Sequence, residues 1–243
     1  MNLIKKRIVF SGGKGRFGKT FQQIDNDYKI FYPLKSELDI TKINTIRSYL
    51  KKTKPKYFIH CAALSRPMKI HYQNIKKSID INIIGTCNIV KICQEYKIKL
   101  IFFSTNYVYP GFKGAYTEES PLLPFNNYGW SKLGGESAVR MYSNSLILRI
   151  CMTEKPFVHR QAFTDLKTNF MFHDQLSIDL LNLINKKGIL NIGGKIQTVY
   201  HFAKKFNKDI KKISAKKLYG KNYPLNQSMN VRKYIKIKKI IKN

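Results

Sequence analysis

Two residues four positions apart, Tyr128 and Lys132, form the pair in this sequence with the clearest chemical use. If their segment begins a helix, both side chains project from the same face, so that a phenol and an ammonium group share one pocket. A neighbouring cation favours the phenolate, and Lys132 is therefore expected to lower the pKa of Tyr128 and make it a proton donor or acceptor near neutral pH. Such a pair suits carbonyl reduction. Tyr and Lys are common in this chain, so the elements around the pair have to support that interpretation.

A glycine-rich turn follows the first predicted strand. The apolar run RIVFS at residues 7–11 leads into GGKGRFGKT at residues 12–20. The turn fits the GxxGxxG and GxGxxG patterns of dinucleotide-binding folds, and it also fits the GxxxxGK[ST] pattern of P-loop nucleotide hydrolases. All three patterns place phosphate against backbone N–H groups at the start of a helix. The turn predicts a phosphate site and leaves the class of nucleotide open.

The ends of the next apolar runs favour a dinucleotide. A P-loop enzyme needs a second apolar strand that ends in Asp and helps to hold Mg²⁺. The runs at residues 56–61 and 99–103 are followed instead by Ala-Ala and by Ser-Thr-Asn. Small residues at these strand ends let a dinucleotide lie across the carboxyl edge of a parallel sheet. The P-loop interpretation is kept as the less favoured alternative.

The alternation of predicted elements gives the fold class. A second strand over residues 28–32 and helices over residues 41–52 and 78–96 predict a Rossmann-type, doubly wound parallel sheet of the α/β class. Residues 1–150 are expected to form the NAD(P)-binding domain. By a family resemblance that further segments carry, residues 151–243 are expected to form a small, shortened substrate-binding lobe, interleaved with the last elements of the sheet.

The residues after the second strand bear on the choice of cofactor. An NAD-specific enzyme places an acidic residue there to bind the adenosine ribose, whereas this chain has Pro33, Leu34 and Lys35. Lys14 and Arg16 in the glycine turn are further cations that could face a 2′-phosphate. The pattern favours NADP(H), with NAD(H) as the alternative.

Charge and cysteine content limit the other classes. The formal net charge of +31 invites a nucleic-acid or membrane partner, but the lysines are spread along the chain and no nucleic-acid-binding motif accompanies them. We expect neither a specific nucleic-acid partner nor a membrane, and we expect a cytoplasmic protein because the first residues do not resemble a signal peptide. The four cysteines show no CxxC spacing, which predicts buried free thiols and no metal site.

Several segments, taken together, carry a family resemblance. The chain resembles the extended short-chain dehydrogenases/reductases, and within them the dTDP-4-dehydrorhamnose reductase-like branch of sugar-nucleotide reductases. The segments are SGGKGRFG, ELDIT, HCAALS, NIIGT, STNYVYPG and YTEESPLLPFNNYGWSKLGGE, followed by LNIGGKIQTVYHFAKK and PLNQSMN. The resemblance is firmest over residues 7–150. This sequence departs from the family at Asn106, where Asp is usual, and in the short segment after Arg149.

The resemblance assigns roles to individual residues. Thr105 would orient a 4-keto oxygen, Tyr128 would donate a proton to it, and Lys132 would hold the nicotinamide ribose and tune Tyr128. Ser104 is a second candidate for the hydroxyl role. The implied cofactor-binding residues are Gly12, Gly15, Arg16, Phe17 and Gly18 at the pyrophosphate, Asp39 and Ile40 at the adenine, Ala62, Ala63 and Leu64 in the middle, and Ser104, Tyr128 and Lys132 at the nicotinamide end.

The implied activity is the NAD(P)H-dependent reduction of a nucleotide-linked 4-keto-6-deoxysugar, as in dTDP-rhamnose and polysaccharide biosynthesis. The expected partner is a nucleotide-sugar substrate, and a homodimer is compatible with the family. The alternative from another class is a non-catalytic, NADP-binding regulatory subunit with the same fold. The presence of Thr105, Tyr128 and Lys132 together favours the enzyme, because a pure binding module has no need of the Tyr128 phenol.

Overall fold

The computed structural model describes residues 5–242, and its elements alternate as the sequence predicts. The strands are β1 (Arg7–Ser11), β2 (Lys29–Phe31), β3 (Tyr57–His60), β4 (Lys99–Thr105), β5 (Ser145–Ile150), β6 (Met152–Thr153), β7 (Gln161–Phe163), β8 (Lys167–Thr168), β9 (Met171–Phe172), β10 (Gly188–Ile192), β11 (Gln197–Thr198) and β12 (Lys211–Ile213). The helices are α1 (Arg16–Phe21), α2 (Ile43–Thr53), α3 (Ile70–Gln73), α4 (Ile75–Ser78), α5 (Gly85–Glu95), α6 (Asn127–Arg140), α7 (His173–Leu183), α8 (Val199–Lys204), α9 (Ala215–Tyr219) and α10 (Arg232–Lys242). A π-helical turn at Ile79–Ile84 joins α4 to α5.

Six parallel strands form the central sheet, in the order β2-β1-β3-β4-β5-β10. The chain winds outward from β1 in both directions, since β2 lies on one side of β1 and β3 on the other. A crevice for ligands opens beyond the carboxyl ends of the strands at such a reversal of strand order. The Rossmann-type α/β class predicted from the sequence is confirmed.

Helices cover both faces of the sheet, which explains why its strands are continuous apolar runs. On one face the core is built around Phe10, Phe21 and Leu180, with α1, α7 and α10 packed on the sheet. On the other face Ile46 of α2 and Ile89 of α5 pack against the sheet. Phe21 of α1 belongs to the first core and Val139 of α6 to the second, so both helices are packed against the sheet.

Two predicted bounds differ from the observed ones in ways that matter for the site. β4 runs on to Thr105, two residues beyond the predicted end, because Ser104 and Thr105 pair with Arg149 and Ile150 of β5. The helix predicted over residues 78–96 begins as a π-helical turn before α5. Polar strand ends and a π turn are local features that apolar periodicity alone does not reveal.

The segment after β5 forms a smaller lobe from three two-stranded sheets, β6 with β9, β7 with β12 and β8 with β11. Its own core is rich in aromatic residues, including Phe157, Phe172 and Phe202. The same segment also supplies α7 and β10 to the large sheet. The lobe is therefore tied to the sheet at several points along residues 151–243.

The four cysteines are free thiols, two of them buried (Cys93 and Cys151) and two half-buried (Cys61 and Cys87). Within residues 5–242, no cluster of three or more His, Cys, Asp or Glu side chains is arranged to hold a metal ion. None of the helices in this described part combines the length and apolar character that a bilayer crossing requires.

Candidate active site

A cavity of about 1930 Å³ opens between the carboxyl edge of the sheet and the smaller lobe. Its wall includes the glycine turn, the ends of β3 and β4, and the first turns of α6. Thr105, Tyr128 and Lys132 all line it. The structure thus brings together, in one cavity, three residues that are up to 27 positions apart in the sequence.

Helix α6 presents Tyr128 and Lys132 on one face, as their spacing predicts. The helix starts where the Asn126 side chain accepts a hydrogen bond of 2.7 Å from the Gly129 backbone N–H, an N-cap that fixes the first turn. Tyr128 is half-buried and packs against His71 and Tyr107, with ring centroids 5.2 and 5.9 Å from its own. Lys132 is only 2% exposed.

The pKa of Tyr128 does not move as expected. Burial raises it to about 12, and the nearby Thr105 hydroxyl counters this only in part. Burial also lowers the pKa of Lys132 to about 8, while Cys61 and Glu136 act in the opposite direction. The Lys132 ammonium lies 4.2 Å from the centroid of the Phe102 ring, a cation–π contact. Tyr128 is therefore held as a neutral phenol, and the expected lowering of its pKa by Lys132 is not seen.

The two hydroxyls at the end of β4 serve different partners, because successive side chains of a strand point to opposite faces. The Thr105 hydroxyl accepts a hydrogen bond of 3.3 Å from the Tyr107 backbone N–H. The same hydroxyl is close enough to Tyr128 to lower the pKa of the phenol in part. The Ser104 hydroxyl instead donates a hydrogen bond of 2.5 Å to the Glu136 carboxylate. Thr105 is thus better placed than Ser104 to orient a carbonyl oxygen.

Below the Tyr–Lys pair, α6 is anchored by a buried ion pair that sequence reasoning missed. Glu136 and Arg149 are 0% and 1% exposed, and an Arg149 Nη2 donates to a Glu136 oxygen at 2.7 Å. Arg149 also donates to the Tyr109 hydroxyl at 2.7 Å, and that hydroxyl donates to the side chain of Asn191 in β10. The network joins α6, β5 and β10. A charged residue inside an apolar strand was the available signal.

The glycine turn adopts the close-packed geometry of a dinucleotide-binding turn. Gly12 has a φ of +79°, and a Cβ there would lie 2.6 Å from the backbone nitrogen of Ala62. A Cβ on Gly18 would lie 2.1 Å from the carbonyl oxygen of Gly13, so Gly18 serves the packing of α1 on the turn and lies outside the cavity wall described for this chain. Gly15 is the N-cap of α1 and borders the cavity.

The remaining predicted cofactor residues occupy neighbouring parts of the cavity wall. Arg16 is half-exposed there, whereas Phe17 is 3% exposed and mainly packs with the aromatic core around Phe10. Other predicted residues that border the cavity are Asp39, Ile40, Ala62, Ala63 and Leu64. The carboxylate of Asp39 accepts hydrogen bonds from the Thr41 backbone N–H and hydroxyl, and these lower its pKa despite partial burial.

The P-loop interpretation does not fit this turn. Helix α1 begins at Arg16, so Lys19 and Thr20 lie in its second turn, and the Thr20 hydroxyl donates to the Arg16 carbonyl oxygen. A P-loop instead wraps its longer loop around phosphate and presents Lys and Thr at the helix start.

Two more residues at the site were not identified from the sequence. Asn82, in the π turn, holds the Leu64 backbone through two hydrogen bonds of 2.8 and 2.9 Å and contacts the Ser131 hydroxyl of α6 at 2.8 Å. Glu154, just after β6, forms ion pairs with Arg16 and Arg66. Asn82 is the first residue of the segment NIIGT, and its place in a predicted helix was the only feature of the sequence that could have pointed to its role.

A parallel sheet with a glycine turn after its first strand, and a Tyr–Lys pair on the helix after β4, define the class of extended short-chain dehydrogenase/reductase-like proteins. The chain belongs to the RmlD substrate-binding domain family, whose model matches residues 6–159. The resemblance found in the sequence is confirmed at this level.

Two of the curated proteins similar to this chain carry different names. Methionine adenosyltransferase 2 subunit beta of Pongo abelii is 28% identical over 148 residues, which are 57% of this chain and 44% of that protein. dTDP-4-dehydrorhamnose reductase of Aggregatibacter actinomycetemcomitans is 28% identical over 152 residues, 60% of this chain and 51% of that protein. The chain therefore matches about half the length of these curated relatives.

The fold itself is shared over nearly the whole chain. The crystal structure of dTDP-4-dehydrorhamnose reductase from Bacillus anthracis str. Ames in complex with NADP has a TM-score of 0.86 to this chain at 23% identity. The superposition covers 97% of this chain and 92% of that one. The smaller lobe is thus part of the shared architecture.

Proposed function

We propose that this chain catalyses the NAD(P)H-dependent reduction of the keto group of a nucleotide-linked 4-keto-6-deoxysugar, with NADP(H) as the preferred cofactor. The observation that carries the proposal is the meeting of Thr105, Tyr128 and Lys132 in one cavity with the glycine turn. A proton donor, a hydroxyl and a buried cation are the groups that carbonyl reduction requires.

The residues around the glycine turn fit a nicotinamide dinucleotide. Gly12 keeps the turn free of a Cβ where it meets Ala62, and the small residues Ala62 and Ala63 continue the wall. Lys14, Arg16 and Lys35 also border the cavity, and their positive charges would suit phosphate groups, including a 2′-phosphate. A bound, reduced dinucleotide would supply the hydride to the carbonyl carbon.

Side chains of this protein would bind the carbonyl oxygen of the substrate and protonate it. Thr105 would donate a hydrogen bond to the carbonyl oxygen, and Tyr128 would transfer its phenolic proton to the same atom as the alcohol forms. The raised pKa of Tyr128 means that the proton is present at neutral pH. The positive charge of Lys132, one helical turn away, would then stabilise the phenolate left behind, which is more favourable once water is excluded.

A second candidate, a non-catalytic dinucleotide-binding regulatory subunit, is favoured by one observation. The methionine adenosyltransferase relative is named as a subunit beta. In that role the cavity would bind the dinucleotide, and the reactivity of Tyr128 would be irrelevant.

Binding and turnover with a Tyr128→Phe variant test the proposal. NADPH is expected to bind wild type and variant within about twofold, and turnover of dTDP- and UDP-linked 4-keto-6-deoxysugars is expected to fall about 10²- to 10⁴-fold in the variant. Trp130→Phe, at an exposed position on the same helix, is the matched control and should retain turnover. Unchanged turnover in Tyr128→Phe would contradict the catalytic assignment. NADPH binding without turnover of any such sugar would favour the regulatory subunit.

A further inference from the structure

A single carboxylate joins the two arginines of the cavity wall. Glu154 Oε1 lies 3.1 Å from Arg16 Nε, and Glu154 Oε2 lies 3.0 Å from Arg66 Nη1. Arg16 opens helix α1 and Arg66 lies in the loop after β3, while Glu154 belongs to the segment that leads into the smaller lobe. The carboxylate thus links three separate parts of the cavity wall.

The arginines are more accessible than the acid that pairs them. The side chains of Arg16 and Arg66 are 49% and 43% exposed, whereas that of Glu154 is 17% exposed. Both guanidinium groups can therefore meet an anion that enters the cavity. The two arginines hold the pKa of Glu154 below its usual range although its burial acts to raise it, so the carboxylate is ionised at neutral pH.

Glu154 stands out in the charge pattern of the cavity. Among the described residues of the wall, seven are Lys or Arg and two are acidic. The cations are Lys14, Arg16, Lys35, Arg66, Lys132, Arg160 and Lys211. The other acid, Asp39, accepts hydrogen bonds from Thr41 and lies 3.9 Å from the ammonium of Lys35, farther than Glu154 lies from its arginines. Of the acids in the described wall, Glu154 is thus the one that pairs with arginines.

We infer that Glu154 is an internal competitor for the diphosphate of the dinucleotide, which must replace the carboxylate as the partner of Arg16 and Arg66. A diphosphate offers several anionic oxygens and can pair with both guanidinium groups, whereas a single phosphate regains fewer of the contacts that it breaks. Glu154 therefore selects for ligands with two linked phosphates. This inference rests on the proposed function, because it takes the dinucleotide as the ligand of the cavity.

The test compares ligand affinity in Glu154→Gln and wild type, using fluorescence and calorimetry with NADPH, AMP and inorganic pyrophosphate. The substitution keeps the shape of the side chain and removes its charge. Loss of two partly exposed ion pairs is expected to tighten NADPH and pyrophosphate binding about 5- to 30-fold and to reduce the preference for NADPH over AMP. Glu154→Asp, whose shorter side chain reaches less far, is expected to lie between the two.

Glu95→Gln is the matched control, because Glu95 also pairs with an arginine, Arg47, but lies away from the cavity. It should leave all three affinities within twofold of wild type. Equal or weaker binding of both NADPH and pyrophosphate to a folded Glu154→Gln variant would overturn the inference. If neither protein binds NADPH but Glu154→Gln binds pyrophosphate more tightly, the competitor stands and the proposed cofactor is wrong.

Discussion

The ammonium group of Lys132 is almost fully buried, and this burial lowers the stability of the folded chain. Its pKa is lowered from 10.5 to about 8, so between these values the unfolded chain holds a proton that the folded chain has released. Where the unfolded chain binds more protons, stability rises with pH. The burial of Lys132 therefore weakens the fold most below pH 8 and ceases to do so above about pH 10.

Lys132→Met is accordingly expected to raise the free energy of unfolding by about 1–3 kcal/mol at pH 7 in the absence of ligands. The advantage over wild type should shrink as the pH rises from 8 to 10. Urea denaturation of both proteins at pH 7, 8, 9 and 10 measures this difference in the free energy of unfolding. A gap that stays constant with pH would show that the charge of Lys132 is not the cause. The activity cost of the substitution would illustrate a site kept at the expense of stability.

The buried Glu136–Arg149 pair gives a prediction of opposite sign. Glu136→Gln leaves Arg149 without its counter-ion at 1% exposure, and the expected loss is about 3–5 kcal/mol in urea denaturation. Replacing both residues, as in Glu136→Leu with Arg149→Met, should cost less than the sum of the single changes. The exposed pair of Glu95 and Arg47 is the control, and Glu95→Gln should move the midpoint little. Additive losses at the buried pair would contradict the coupling.

Whether the sequence predicts a property of a site residue depends on how far along the chain the neighbours that set this property lie. The common face of Tyr128 and Lys132 follows from four-residue spacing on a helix, a local property. The pKa of Tyr128 depends on burial among Tyr107 and His71, which precede it by 21 and 57 positions. Spacing within α6 carries no information about those neighbours, so the expected direction was wrong.

At the scale of elements, the glycine turn works because two strand ends approach closely. The positive φ of Gly12 and its contact with Ala62 act together, and Gly188 offers a comparison with a φ of +87° and no atom within 4 Å of an added Cβ. Gly188→Ala is expected to cost about 1–2 kcal/mol for the backbone conformation alone. Gly12→Ala should cost a further ~1–3 kcal/mol, since the ends of β1 and β3 must move apart.

Thermal unfolding and NADPH titration of both glycine variants measure this difference. Gly12→Ala should also lose NADPH affinity, whereas Gly188→Ala should bind like wild type. Equal stability losses in the two variants would show that the close approach of Gly12 to Ala62 is easily relaxed.

The sequence predicts the glycine turn but not the π-helical turn that holds Asn82, because a π turn depends on one extra residue fitted between packed elements.

At the scale of the whole molecule, the cavity is completed by contacts between distant parts of the chain. Arg160 and Lys211 border it through the parallel pairing of β7 with β12, about 50 residues apart. Apolar runs predict strands β1 to β4 of the large sheet, whereas the two- and three-residue strands of the lobe carry too little pattern to be paired from sequence. The first four strands of the sheet were predictable for that reason, whereas its last two strands, β5 and β10, and the wall of the lobe were not predicted.

The net charge of +31 acts on the folded molecule as a whole. Such an excess of one sign destabilises a compact state by self-repulsion, and repulsion among exposed charges is screened beyond ~30 Å at 0.01 M salt but beyond ~8 Å at 0.15 M. Raising NaCl from 0.01 to 0.15 M is therefore expected to increase the urea midpoint. The few exposed ion pairs, which salt weakens, act in the other direction but are outnumbered by unpaired lysines among the described residues. Sucrose at equal osmolality, which does not screen charge, serves as the control for effects on solvent. A midpoint that falls with NaCl would mean that the ion pairs outweigh the repulsion, and that the lysines are arranged more favourably than their number implies.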